Sequence, residues 1–122
     1  MTRSETDRRR RVVVTGLGVL SPNGNGVDDF ELALRKGRSG LRANEAMAEH
    51  GFRSRVAGVP QGVDALAEAT FDEDELSAMN SSHRLASLAA LEAWGDAGLA
   101  RPERGDDAVD WDTGAILGTG IG

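Results

Sequence analysis

Val12 to Thr15 is an unbroken β-branched run, which suits a strand buried on both faces of a parallel sheet better than an alternating surface strand. Gly16, Gly18, Pro22, Gly24 and Gly26 follow as a long turn. Val27, Phe30 and Leu34 then recur at helical spacing until Gly37 stops the pattern, so the opening unit is predicted as strand, glycine loop and helix. Residues 38 to 52 are polar and mixed, with weak helical character from Asn44 to His50. Arg53 to Pro60 reads as a short extended segment through Val56 and Val59. Asp72, Glu73, Asp74 and Glu75 are expected in the first turn of a helix running to about Met79, where carboxylates favour the positive end of the helix dipole.

The next helix carries the densest pattern. Ser81 or Ser82 is its expected cap, and it runs to about Ala97 before Gly98. Arg84, Glu92 and Asp96 occupy about a third of its circumference, while Leu85, Ala86, Ala89, Ala90, Leu91, Ala93 and Trp94 cover the rest. Most of this helix is expected to be buried, in the manner of a helix held between sheets. Pro102 to Asp112 forms a charged loop, and Thr113 to Leu117 reads as another strand, ending in Gly118, Gly120 and Gly122. That second strand-and-glycine unit is followed by no further element, which is the expectation for the front portion of a larger α/β protein.

Composition narrows the classes. At 122 residues the chain has the length of about one domain. No window approaches the roughly 18 consecutive apolar residues of a membrane span, and no apolar stretch follows the N-terminal arginines as in a secretory signal, so a cytoplasmic location is expected. With no cysteine, these residues hold no disulfide, thiolate metal site or thiol nucleophile. The net charge is −6; residues 1 to 11 contribute +3 through five Arg against Glu5 and Asp7, which leaves −9 on the rest. So acidic a body is a poor nucleic-acid surface. Residues 1–10 read as a disordered Arg-rich leader, and the run Arg8 to Arg11 lacks the aromatic interleaving of a nucleic-acid arm.

Candidate chemistry is sparse. Gly16-Leu17-Gly18 after a strand has the look of a dinucleotide-binding loop, but Ser21 stands where the third glycine of that motif would fall, Pro22 follows it, and no P-loop lysine is present. Gly118, Gly120 and Gly122 are better explained by a tight turn against packed backbone than by a phosphate cradle. Ser82 beside His83 suggests a nucleophile and a base, yet neighbours on a helix start point apart, and the serine fits a capping role. His50 is the other histidine, and no HxxxH or HExxH spacing supports a metal site or a triad. Glu103, Asp106, Asp107 and Asp110 lack ordered calcium spacing and read as a solvated loop. No cofactor is expected.

Three blocks nevertheless resemble the N-terminal end of the β-ketoacyl-acyl carrier protein synthases of the thiolase-like superfamily. These are Arg11 to Asn25 with Gly37-Arg38-Ser39-Gly40, Ala93 to Leu99, and Ile116-Leu117-Gly118-Thr119-Gly120-Ile121-Gly122. Within that family, Gly51-Phe52-Arg53-Ser54-Arg55-Val56-Ala57-Gly58 looks more like the type I elongating synthases. The resemblance covers residues 9 to 122. It implies an α/β fold of αβαβα layered-sandwich type with only the N-terminal part present, so that 11–122 is an incomplete domain.

It also implies a decarboxylating Claisen condensation of an acyl thioester with malonyl-acyl carrier protein in fatty-acid or polyketide extension. Acyl carrier protein and a dimer mate are the implied partners. The family's nucleophilic cysteine, whose thiolate suits acyl transfer, and its two histidines lie downstream of the last block. They map onto no position here; neither His50 nor His83 matches, and no catalytic, cofactor-binding or metal residue is assigned. The expected roles in this chain are structural, falling to the glycines of both turns and the alanine-rich helix. Alternatives are a non-catalytic chain-length-factor-like subunit, a split half paired with a separate C-terminal chain, or a small nucleotide-binding module.

Overall fold

The computed structural model describes residues 11–101 and 110–120. Two short antiparallel ribbons and five helices make up its regular elements. β1 (Leu20–Ser21) pairs with β2 (Gly24–Asn25) across a two-residue turn, in register Leu20 to Asn25 and Ser21 to Gly24. Helix α1 (Val27–Arg35) follows, then β3 (Leu41–Ala43), α2 (Glu45–Glu49) and β4 (Val56–Gly58). β3 and β4 pair antiparallel, Arg42 opposite Ala57. Three helices complete the order: α3 (Val63–Thr70), α4 (Glu73–Ser77) and α5 (Ser81–Asp96).

Helix ends follow local chemistry. Asp72 caps α4 by accepting from the Glu75 amide at 2.9 Å, while the Glu75 carboxylate accepts from the Asp72 amide at 3.0 Å, a reciprocal capping box. The acidic cluster is thus placed as its sequence implied. Helix α5 departs from expectation: Asn80, not Ser81 or Ser82, is the cap, its side-chain oxygen accepting from the His83 amide at 2.9 Å. An Asn one residue earlier puts its oxygen over the same orphan donors, and both serines are drawn into the first turn. At the other end Gly98 takes a left-handed φ of 71°, and the Gly98 and Leu99 amides return to the carbonyls of Gly95 and Trp94. Gly37 ends α1 in the same way, with Gly37 bonded to Leu34 and Arg38 to Ala33.

The core sits where α3, α4, α5 and β1 meet. Ala67, Phe71 and Leu88 are buried, with Leu20, Val63, Leu76, Met79 and Leu91 packed against them. Ala33 is fully buried on α1. Helix α3 was not foreseen from the sequence, although Val63, Leu66, Ala67 and Thr70 have helical spacing.

Further expectations change. Val12 to Thr15 is exposed and unpaired, with Val12 at 95% exposure, so the first paired strand is Leu20–Ser21. Thr113 to Leu117 also pairs with nothing among the described residues, and Ile116 is fully exposed. Both paired sheets are antiparallel, not parallel. A parallel strand needs a neighbour brought alongside by a crossover, and neither β-branched run has one among the described residues. Helix α5 is correspondingly less covered than its alanines suggest, since Leu88 is its one buried residue and Ala90 is exposed. The expected leader 1–10 and most of the 102–112 loop lie outside the described residues.

Candidate functional site

The glycine loop between Gly16 and Gly26 is laid directly on helix α5. Cβ atoms added at Gly16 and Gly18 would fall well inside contact distance of the Ala93 and Ala89 carbonyl oxygens, so only glycine lets the two backbones approach this closely. The small side chains of Ala89, Ala93 and Ala97 on the facing helix are the other half of that fit. Here the alanine pattern and the glycine pattern have one cause.

Two carboxylates of α5 fasten the loop. Glu92 accepts from the Val19 amide at 2.8 Å through one oxygen and from the Val27 amide at 2.7 Å through the other. Asp96, one turn further on, accepts from the Leu17 amide at 2.9 Å. Val27 is the first residue of α1, whose cap position is Gly26 at φ 104° with no side chain to offer. Glu92 therefore supplies from another helix the acceptor that a capping residue would have provided, at the end where the dipole favours negative charge. Arg84, the third polar residue of that face, pairs instead with Asp64 of α3 at 3.0 Å. The amides of Leu17, Val19 and Val27, which a phosphate cradle would have used, are donated to protein carboxylates.

The β1–β2 hairpin packs on α1, where a Cβ at Gly24 would lie 2.7 Å from the Asp29 Cβ. Its asparagines reach outward: Asn23 Nδ2 donates to the Arg38 carbonyl at 2.7 Å, and Asn25 Nδ2 to the Gln61 carbonyl at 2.6 Å. The loop is thereby joined to α5, to the segment before β3 and to the segment before α3.

A cavity of about 550 Å³ opens along the first half of α5 and brings together Leu20, Ser82, His83, Ala86, Leu117 and Thr119. Ser82 and His83 both line it, but no hydrogen bond joins them, and the His83 backbone amide is the group engaged, with Asn80. His50 ends α2 and takes no part in this cavity. The second glycine turn differs from the first: among the described residues nothing lies within 4 Å of a Cβ placed at Gly118 or Gly120, so the expected close packing of backbone is not found there, and Gly122 lies outside the described residues. Among the described residues no three His, Asp or Glu side chains group as metal ligands, and no helix is long and apolar enough to cross a membrane. Asp110 forms a local turn in which its carboxylate accepts from the Asp112 amide and the Thr113 hydroxyl. The Thr113 bond first, and the Asp112 bond after it, hold that carboxyl below its ordinary value.

Comparison with known proteins places this arrangement. Residues 9–122 match the family model described as "Beta-ketoacyl synthase, N-terminal domain". The chain is 34% identical over 114 residues to 3-oxoacyl-[acyl-carrier-protein] synthase 2 of Vibrio cholerae, a match covering 93% of this chain and 26% of the relative. It is 34% identical over 111 residues to the tetracenomycin polyketide synthase ketoacyl synthase beta subunit of Streptomyces glaucescens, covering 91% of this chain and 26% of that subunit. It is 35% identical over 113 residues to the granaticin polyketide putative beta-ketoacyl synthase 1 of Streptomyces violaceoruber, covering 93% and 24%. The chain thus spans no more than 26% of the length of these relatives, and within that span it belongs to the β-ketoacyl synthase family.

Proposed function

We propose that this chain serves as the N-terminal segment of a β-ketoacyl-acyl carrier protein synthase, in which the complete unit carries out decarboxylating Claisen condensation of an acyl thioester with malonyl-acyl carrier protein. The match to the family's N-terminal domain over residues 9–122 carries this reading. In it, the segment contributes scaffold and not chemistry: the sequence has no cysteine to take up an acyl group, and its glycine loop is occupied in binding α5. The exposed apolar runs Val12 to Val14 and Ile116 to Leu117 support a role in which further polypeptide completes the sheet. A layered αβαβα sandwich with a dimer mate is the assembly this reading implies.

The test is acyl transfer from labelled acyl carrier protein. The chain alone should acquire no label, whereas the chain together with a polypeptide supplying the remaining length of a family member should yield label on a cysteine of that polypeptide. Condensation by the chain alone would overturn the proposal. The similarity to a ketoacyl synthase beta subunit favours a second reading, a non-catalytic chain-length-factor-like role. Under it the completed assembly binds an active synthase subunit but takes no acyl label itself.

A further inference from the structure

Charge is unevenly spread even within the acidic body of this chain. Of the −9 carried by residues 12–122, residues 35–58 contribute +4 through Arg35, Lys36, Arg38, Arg42, Arg53 and Arg55 against Glu45 and Glu49, which leaves −13 on the rest. All six cations are exposed. Arg35 is engaged with Glu31, whereas the other five form no ion pair among the described residues. Two of them are brought together by strand pairing. Arg42 stands opposite Ala57, and the pairing continues one step past β3 and β4, where the Asn44 amide donates to the Arg55 carbonyl at 2.9 Å. Side chains alternate along a strand, so Arg42 and Arg55 emerge on one face as diagonal neighbours, at the roughly 7–8 Å spacing where long side chains meet. Leu41, Ala43 and Val56 take the other face. Like charges so placed repel, and among the described residues no carboxylate is paired with either arginine.

We propose that the β3–β4 ribbon is a docking surface for an acidic polypeptide segment of another protein, whose carboxylates pair with Arg42 and Arg55. A guanidinium fork matches a carboxylate in bidentate geometry, so the arrangement suits Asp or Glu side chains spaced to meet both arginines. The neighbouring charges choose among anions. Glu45 and Glu49 lie exposed one turn apart on α2, between the two strands in the chain, so the partner must be anionic opposite the ribbon and not opposite the helix. A polypeptide can change charge from one residue to the next. A nucleic acid or an anionic bilayer presents negative charge throughout, and would run onto Glu45, Glu49 and the −13 beyond them. The polypeptide that completes the sheet is a different occupant, because the surfaces awaiting it are the apolar runs Val12 to Val14 and Ile116 to Leu117. Nothing in the ribbon's charge depends on the synthase reading.

Fluorescence anisotropy of a labelled peptide of alternating glutamate and alanine, titrated with the full chain at low salt, tests this. The peptide should bind and be released by added salt, and its glutamine counterpart should not bind. Arg42→Glu and Arg55→Glu should each weaken binding several-fold, while Arg101→Glu, which changes the net charge equally from outside the ribbon, should leave it unaltered. No binding, an equal loss with Arg101→Glu, or tighter binding of a single-stranded oligonucleotide or of phosphatidylserine vesicles would overturn the proposal. Should a variant fail to fold, amide shifts in the unaltered chain decide: the peptide should perturb Leu41 to Asn44 and Arg55 to Gly58 first, and perturbation centred elsewhere excludes this surface. Repeated with the completing polypeptide in place, the titration should give the same ranking; disappearance of binding there would mean that the ribbon is covered, and the docking surface would fall.

Discussion

Glu92 does more for this molecule than its place on a polar helix face suggests, because each carboxylate oxygen satisfies a backbone amide from a different segment. Glu92→Gln leaves one acceptor and turns an –NH₂ toward the other amide. Charged hydrogen bonds of this kind are worth about 2 kcal/mol, and a loss of that order is expected in denaturant unfolding, with faster hydrogen exchange at Val19 or Val27. Gly18→Ala should cost about as much by overpacking, since its methyl would run into the Ala89 carbonyl, and a matching loss of stability is the observable. At Asp110 the sign runs with the depressed carboxyl: whatever the turn gains from the ionised form is present above the unfolded value and is lost as pH falls through the lower, folded one. NMR titration should place the Asp110 carboxyl below the ordinary aspartate range, and Thr113→Ala should move it back up. The glycines of the first turn were legible as structural residues. Their docking partner was not, because a pattern of missing side chains does not name the backbone that fills the space.

At the scale of elements, the stretches read best were those whose ends carry local chemistry. Asp72 to Glu75 and Gly37 state their roles in their own side chains or lack of them, and α4 and the end of α1 follow. The start of α5 was misplaced by one residue or two because Asn80, Ser81 and Ser82 are all competent caps, and only backbone geometry selects among them. The difference is measurable. Asn80→Ala should cost about 1 kcal/mol in thermal or chemical denaturation, while Ser82→Ala should be close to neutral. Equal losses would return the capping role to the serine. Helix α3 is the least legible of the helices, since its eight residues include three alanines, which mark a buried stripe less plainly than leucine or valine would.

For the whole molecule, the family was legible and the architecture less so. Val12 to Thr15 and Thr113 to Leu117 have strand chemistry, yet strand pairing is a property of two segments and is settled by whatever lies alongside. Among the described residues nothing does, and the buried hydrophobics number four: Ala33, Ala67, Phe71 and Leu88. A core of that size, with both valine-rich and isoleucine-leucine segments in solvent, is expected to give a broad, weakly cooperative thermal transition and strong binding of a hydrophobic dye. A sharp transition from a dye-silent monomer would contradict the scaffold role proposed above. Addition of the polypeptide that completes the family's length should sharpen the transition and raise its midpoint.

The bonds from Val19 and Val27 to Glu92 close loops of 73 and 65 positions. During synthesis, therefore, the Val19 and Val27 amides lack this acceptor until the ribosome has finished α5. At ordinary elongation rates that is a delay of about 4–15 s in which the glycine loop has no helix to lie on. In nascent chains arrested at increasing lengths, protection of the Leu17, Val19 and Val27 amides is therefore expected to appear only once α5 has left the exit tunnel.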